Sequence, residues 1–194
     1  MSALILGLLL FLGMHSVRIA GDGWRSQVVR RRGALAWKAL YSVVSLVGFA
    51  LIVWGFGQAQ TQPQALWASP RWTRHVAGLL MAVAMVLLVA AYVPRNHLKA
   101  KLHHPMVLSV KVWALAHLLA NNSVADVLLF GSFLLWAVLN FRTARQRDRL
   151  GATRYATGTW PATVLTLVLG IAAWAGMAFW AHQRLFGVRP FGGA

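Results

Sequence analysis

The 194-residue sequence predicts an all-α, polytopic membrane protein: a bundle of six transmembrane helices forming one domain over residues 1–194. Three observations lead there. Hydrophobic residues make up 59% of the chain, above the roughly half found in soluble domains. They fall into continuous runs, near 3–17, 39–57, 76–94, 105–120, 124–141 and 162–181, each approaching the ~20 residues that span a bilayer as a helix. Barrel strands would alternate instead. Finally, the formal charge of +16 is confined to short clusters between the runs. That distribution is a topology signal, and it excludes a nucleic-acid-binding face as the reason for the charge.

The first run, "MSALILGLLLFLGMH", has no basic leader and no small-residue cleavage site, so it is expected to remain as a helix. Arg18, Arg25, Arg30, Arg31, Arg32 and Lys38 follow it. Arg95, Lys99 and Lys101 follow the third run, and Arg142, Arg145, Arg147, Arg149 and Arg154 the fifth. Arg71, Arg74, Arg184 and Arg189 lie on the other side. By the positive-inside rule the richer side is cytoplasmic, so both termini face away from the cytoplasm. Trp54, Trp67, Trp72, Tyr92, Trp160 and Trp180 lie near run ends, as an interfacial aromatic belt requires. Between the fourth and fifth runs, "NNSVAD" is too short for a loop of any size. Its Ser123 and Asp126 form an S-x-x-D cap that predicts a helix starting near Val124, hence a tight hairpin.

Chemistry is restricted by what is missing. Without cysteine there is no disulfide, thiolate nucleophile or covalent haem attachment, and Asp22, Asp126 and Asp148 are the only acids, far apart in sequence. "GFG" at 55–57 and "GDG" at 21–23 follow no strand and are not nucleotide fingerprints. The informative stretch is "HHPMVLSVKVWALAHLL", residues 103–119. Pro105 suits the first position of a helix. Helical periodicity then puts His103, Met106, Val110, Trp113, Ala114, His117 and Asn121 on one stripe, and His104, Leu108, Lys111 and Leu115 on another. Neither stripe suits lipid.

His117 is expected at mid-membrane, either as hydrogen-bonding glue between helices or as a metal or haem ligand. His15, near the inner end of the first run, carries the same two alternatives. Lys111 either snorkels or faces an anion. His75, His97 and His182 lie at run ends and are expected to be solvated.

"LGMHSVRI", at residues 12–19, together with "HHPMVLSVKVWALAHLLANNSVADVLLFGSFLLWAV" resembles the NnrU family of bacterial membrane proteins. The resemblance covers most of the chain and is densest from Arg95 to Arg149. It implies a bacterial inner-membrane location, with both termini then periplasmic, and a link to nitrite and nitric-oxide metabolism. The same family takes in a plant zeta-carotene isomerase, a haem b protein whose two proposed histidine ligands fall on His15 and His117 here. The resemblance thus implies haem b on His15 and His117 and a lipid-phase redox or isomerase reaction on a hydrophobic small molecule. The plant enzyme's nearby cysteine is Ala114 here, so ligand exchange through a thiolate is excluded. A haem would need an apolar slot, for which Trp113, Phe11 and small residues of the third and sixth runs are candidates. It would also need cations for its propionates, for which Arg18, Lys111 and the inner-face arginines are candidates, with His104 at the mouth. His15 lies about 5 Å inside Arg18 and His117 about 20 Å beyond His104 at 1.5 Å per residue. A shared iron therefore requires tilted helices, a flat haem or a deeper first helix. Otherwise His15 pairs with His103 or His104 at the rim.

Two readings stand beside the haem protein. One is a non-enzymatic accessory or signalling protein whose histidines only lock the bundle. The other follows a more distant resemblance to the isoprenylcysteine methyltransferases, which bind S-adenosylmethionine. "HHPMV" and "FRTARQRDRLGATRY" stand where that superfamily carries its motifs, but here the leading arginine is His103, the tyrosine is Val107 and the glutamates are missing.

Overall fold

The computed structural model describes residues 1–191. Eight helices follow in order: α1 (Ser2–Ala20), α2 (Asp22–Ala59), α3 (Trp72–Tyr92), α4 (His97–Leu102), α5 (Pro105–Ala120), α6 (Val124–Leu150), α7 (Trp160–Gly176) and α8 (His182–Phe186), with a π-helical turn at Met177–Ala181 joining the last two. No strand occurs among the described residues; an isolated bridge joins Ala65 to Ser123. Five helical segments are long and apolar enough to cross a membrane, the last being the continuous stretch Trp160–Phe186 through α7, the π-turn and α8, and α5 is a shorter apolar helix. The chain is a multi-pass α-helical membrane protein. The six expected aromatic belt residues are all exposed, as are leucines such as Leu9 and Leu46, which gives the outer faces a lipid-compatible surface.

The elements differ from the sequence expectation in three places. α2 begins at Asp22, well before residue 39, because the basic stretch 22–32 is itself helical and turns into the apolar stretch at Gly33, whose φ of +83° is open to glycine. α6 runs on to Leu150, beyond the expected 141, so its arginines extend the helix past the apolar part. α5 has 16 residues, about 24 Å of rise, and is too short for the ~30 Å hydrocarbon core. The α5–α6 junction is accordingly sunk below a cover formed by the α2–α3 connection. There Leu66 N–H donates to Asn122 O (2.8 Å) and Val124 N–H to Gln64 O (3.0 Å). The predicted cap at Ser123 forms in full. Ser123 Oγ accepts from Asp126 N–H, Asp126 Oδ2 accepts from Ser123 N–H, and Gln60 Nε2 donates to Asp126 Oδ1.

The spans pack as a row in the order α2, α1, α6, α5, α3, α7. Water drives none of this packing inside a bilayer, so close backbone approach and internal hydrogen bonds must supply the attraction. Small residues allow the approach. A Cβ on Gly55 would lie 2.3 Å from Leu4 N, and one on Gly7 2.6 Å from Ile52 N. On the other side, a Cβ on Gly170 of α7 would lie 2.7 Å from Val86 Cα, and Ser109 Oγ of α5 donates to Ala84 O of α3 at 2.7 Å. Leu4, Leu8, Ile52, Ala114, Ala125, Leu129 and Phe130 form the buried core, centred where α6 meets α1, α2 and α5.

Candidate functional site

α6 serves as a ruler for the polar residues inside the bundle, because each packs at a different level along it. His117 stacks on Phe130 (centroids 4.5 Å), His15 meets Trp136 edge-on (6.1 Å), and Lys111 Nζ lies 5.2 Å over the Phe141 ring. Phe130 and Trp136 are six residues apart, about 9 Å of helix. His117 is in the last turn of α5, one turn from its end at Ala120, and so lies nearer the covered face than the middle of the bundle. The expectation of a mid-membrane position assumed a full-length span, which α5 is not.

Both intramembrane imidazoles are set in the same way. His15 Nδ1–H donates to Phe11 O at 2.7 Å, and His117 Nδ1–H donates to Trp113 O at 2.9 Å. A carbonyl can only accept, so Nδ1 carries a proton in each ring, and in the neutral imidazole the lone pair is then on Nε2. Between the two rings stands a row of aromatics. His15 stacks on Phe11 (4.1 Å), Phe11 meets Phe133 (5.8 Å), Phe133 meets Trp113 (5.5 Å), and Trp113 meets His117 (5.3 Å). The same helices therefore carry both imidazoles, but the described structure does not bring them to one point. No group of three or more His, Cys, Asp or Glu side chains suited to a metal ion occurs among the described residues. As donors, two neutral imidazoles with free Nε2 atoms fit a haem iron. As space, the rings of Phe11, Phe133 and Trp113 occupy the gap.

The other expected cofactor residues are elsewhere. Arg18 is exposed, 3.8 Å from Asp22, and its carbonyl accepts from Arg147 Nη1 at 3.1 Å. Lys111 reaches toward the basic face along Phe141, a snorkelling pose. His97, expected to be solvated, is half-buried and pinned to α7. Its backbone N–H and its Nδ1 both lie within hydrogen-bond range of Thr163 Oγ1, at 3.0 and 2.8 Å.

His104 belongs to a second cluster, at the basic face. The chain turns from α4 into α5 through His103, which has φ +70° and ψ −48°. His104 N–H donates to Leu102 O at 2.9 Å across it, making a γ-turn of the rare, strained hand. Such a residue costs about 1–3 kcal/mol and persists only where surroundings hold it. Here the His103 ring lies flat on Tyr155 (4.1 Å, 12°) and its Nδ1 accepts from Arg145 Nη1. His104 Nε2–H donates to Asp148 Oδ2 at 2.8 Å, and Tyr155 O–H donates to the same oxygen at 3.0 Å. Partial burial pushes the Asp148 carboxyl up, but the hydrogen bonds from His104 and Tyr155 and the neighbouring imidazoles outweigh it and hold the group below its usual range. Burial, then the hydrogen bond to Asp148 and its charge, push the Tyr155 phenol up, so it stays a donor.

Sequence reasoning reached His103 and His104 but not the partners that organise them. Asp148 carried a signal, as one of three acids and set among five arginines; Tyr155 stood in the basic stretch of the methyltransferase resemblance, but nothing in its spacing placed it against His103 or Asp148.

Fold and site together define a multi-pass helical membrane protein with imidazoles on its apolar helices and a histidine–carboxylate cluster at its basic rim. The chain belongs to the NnrU family: the family model described as "NnrU protein" matches residues 3–190. No curated protein and no solved structure gives a match.

Proposed function

We propose that this NnrU-family protein binds haem b within the bilayer through His15 and His117, and that it serves nitrogen-oxide metabolism or a lipid-phase redox or isomerisation step. One observation carries the reading: each imidazole gives its Nδ1–H to a carbonyl of its own helix. That second-shell bond orients a histidine and leaves Nε2 to a metal. Bound haem would supply an iron centre for electron transfer or for polarising a substrate. The protein's own part is to orient the two imidazoles through the carbonyls of Phe11 and Trp113, and in this reading the rings of Phe11, Phe133 and Trp113 that fill the space between them part to admit the macrocycle. The same side chains also support a second reading, in which the histidines are structural glue and the protein is an accessory, because Phe130 and Phe11 stack on them and rings fill the space between.

The visible spectrum of the protein purified after haem-sufficient expression separates the two. A Soret band that is lost or strongly shifted in both His15→Ala and His117→Ala, and unchanged in His182→Ala, supports the iron-ligand reading. An absent band, or one untouched by both substitutions, overturns it in favour of the accessory.

A further inference from the structure

We propose that the basic rim is a separate binding site for a phosphate-type anion, received by Arg142, Arg145 and Arg149 of α6. These three residues, with Phe141 and Gln146, line an open cavity of about 490 Å³. Their spacing puts them on one helical face, and guanidinium forks match phosphate oxygens two at a time.

Three features of the rim, which meet at His103, argue that this is a built site. The first is charge. Asp148 lies within a turn of Arg145 and Arg149, yet its Oδ2 accepts from His104 Nε2–H and from Tyr155 O–H, with His103 Nδ1 3.8 Å away. Among the described residues none of the three cavity arginines pairs with an acid. The one local carboxylate is thus kept from neutralising them. Like charges gathered against the Phe141 ring repel one another until an anion arrives.

The second feature is positioning. Arg145 is held by His103 Nδ1, and His103 is held by its stack on Tyr155. His103 is therefore a positioning residue, fixing one guanidinium at the cavity wall.

The third is strain. Among the described residues the non-glycine residues with positive φ are Arg95, His103 and Ala152, at +55°, +70° and +44°. All three border this rim. Arg95 lines a second cavity of about 210 Å³ with Lys99 and Tyr155, which extends the positive field across the Tyr155 ring. Ala152 shapes the turn that brings Tyr155 back to Asp148. Backbone strain gathers where a site must be held in a chosen shape.

Phosphate chemistry at this level can come from an anionic lipid headgroup or from a soluble phosphate, since α6 leaves its apolar stretch near Phe141. The test uses the full-length protein in two arms. Native mass spectrometry after reconstitution in phosphatidylcholine nanodiscs, with and without phosphatidylglycerol, reads the lipid arm. Calorimetric titration with inorganic phosphate in a neutral detergent reads the soluble arm. Wild type should retain phosphatidylglycerol or bind phosphate, and the responding arm identifies the source. Arg145→Gln/Arg149→Gln should weaken that response at least tenfold, and His103→Ala should weaken it several-fold with both arginines present. Arg184→Gln, on the opposite face, should leave it unchanged. A double variant that does not fold is replaced by Arg145→Lys/Arg149→Lys, which keeps charge but loses the forks and should still lose several-fold. Wild type silent in both arms, or arginine variants equal to wild type, overturns the proposal. An unchanged His103→Ala removes the positioning role. None of these readouts depends on haem.

Discussion

Single residues make opposite predictions according to the space in front of their Cα atoms. Gly55 faces the Leu4 backbone at a distance no Cβ can share, whereas Gly131 of α6 faces open space. Gly55→Ala should therefore push α1 from α2 and destabilise by about 1–3 kcal/mol, the usual range for overpacking. Gly131→Ala should be neutral or stabilising by a few tenths to about 1 kcal/mol, since alanine suits a helix better. Thermal unfolding in one detergent compares the two directly. Asp148 gives a pH dependence. Its folded-state pKa is lowered, so its contribution is present above the ordinary carboxylate value of about 4 and is lost as pH falls through the depressed value. Asp148→Asn should melt lower than wild type at neutral pH, and the gap should close on acidification below about pH 4. A gap that stays constant with pH would show that the carboxylate is not held by its charge. His117 and Asp148 also show the limit of reading residues from spacing. Spacing on α5 put His117 on the correct stripe, but its depth depended on where the helix ended. The partner of His104 lies 44 positions away, at a contact that helical periodicity does not encode.

At the scale of elements, the strongest local signals gave the most accurate boundaries. Pro105 and the Ser123–Asp126 box mark helix starts that the structure keeps to the residue, because each satisfies backbone donors that are otherwise orphaned. Ser123→Ala should cost about 0.5–2 kcal/mol as a lost cap. It should also loosen the α2–α3 connection, because Asp126 is shared with Gln60. Faster proteolysis within residues 60–71 is the measurement, and unchanged cleavage would mean that the cover holds without the cap. Hydrophobicity alone placed the spans but missed the helical extensions at 22–32 and 142–150. Those stretches are polar and helical at once, and an apolar window sees only the first property. Gly33 marks the joint of the first extension. Gly33→Ala meets no steric neighbour, so its cost is conformational, about 1–3 kcal/mol at that backbone angle.

For the whole molecule, the class of fold was legible because bilayer thickness and the absence of water leave few solutions to a chain of this composition. The order of helices in the row was not. It follows from glycine contacts and aromatic pairs between distant segments, such as Phe11 with Phe133. Orientation is a property of the whole as well. If the basic face is cytoplasmic, a periplasm-active reporter fused after residue 194 should give signal, and a cytoplasm-active one should not. The reverse result would put the His104–Asp148 rim on the outside of the cell.

The row has a consequence for how the protein is made. α1 lies in space between α2 and α6, but α6 leaves the ribosome only after residues 60–123 have been synthesised. At 5–20 residues per second that is an interval on the order of ten seconds. During it the first hairpin stands in the bilayer with the α6-facing side of α1 still uncovered. Gly7, Gly48 and Gly55 let the two nascent helices interlock through their own backbones. The early pair can thus wait as a preassembled half, and the late arrival of α6 completes the aromatic row.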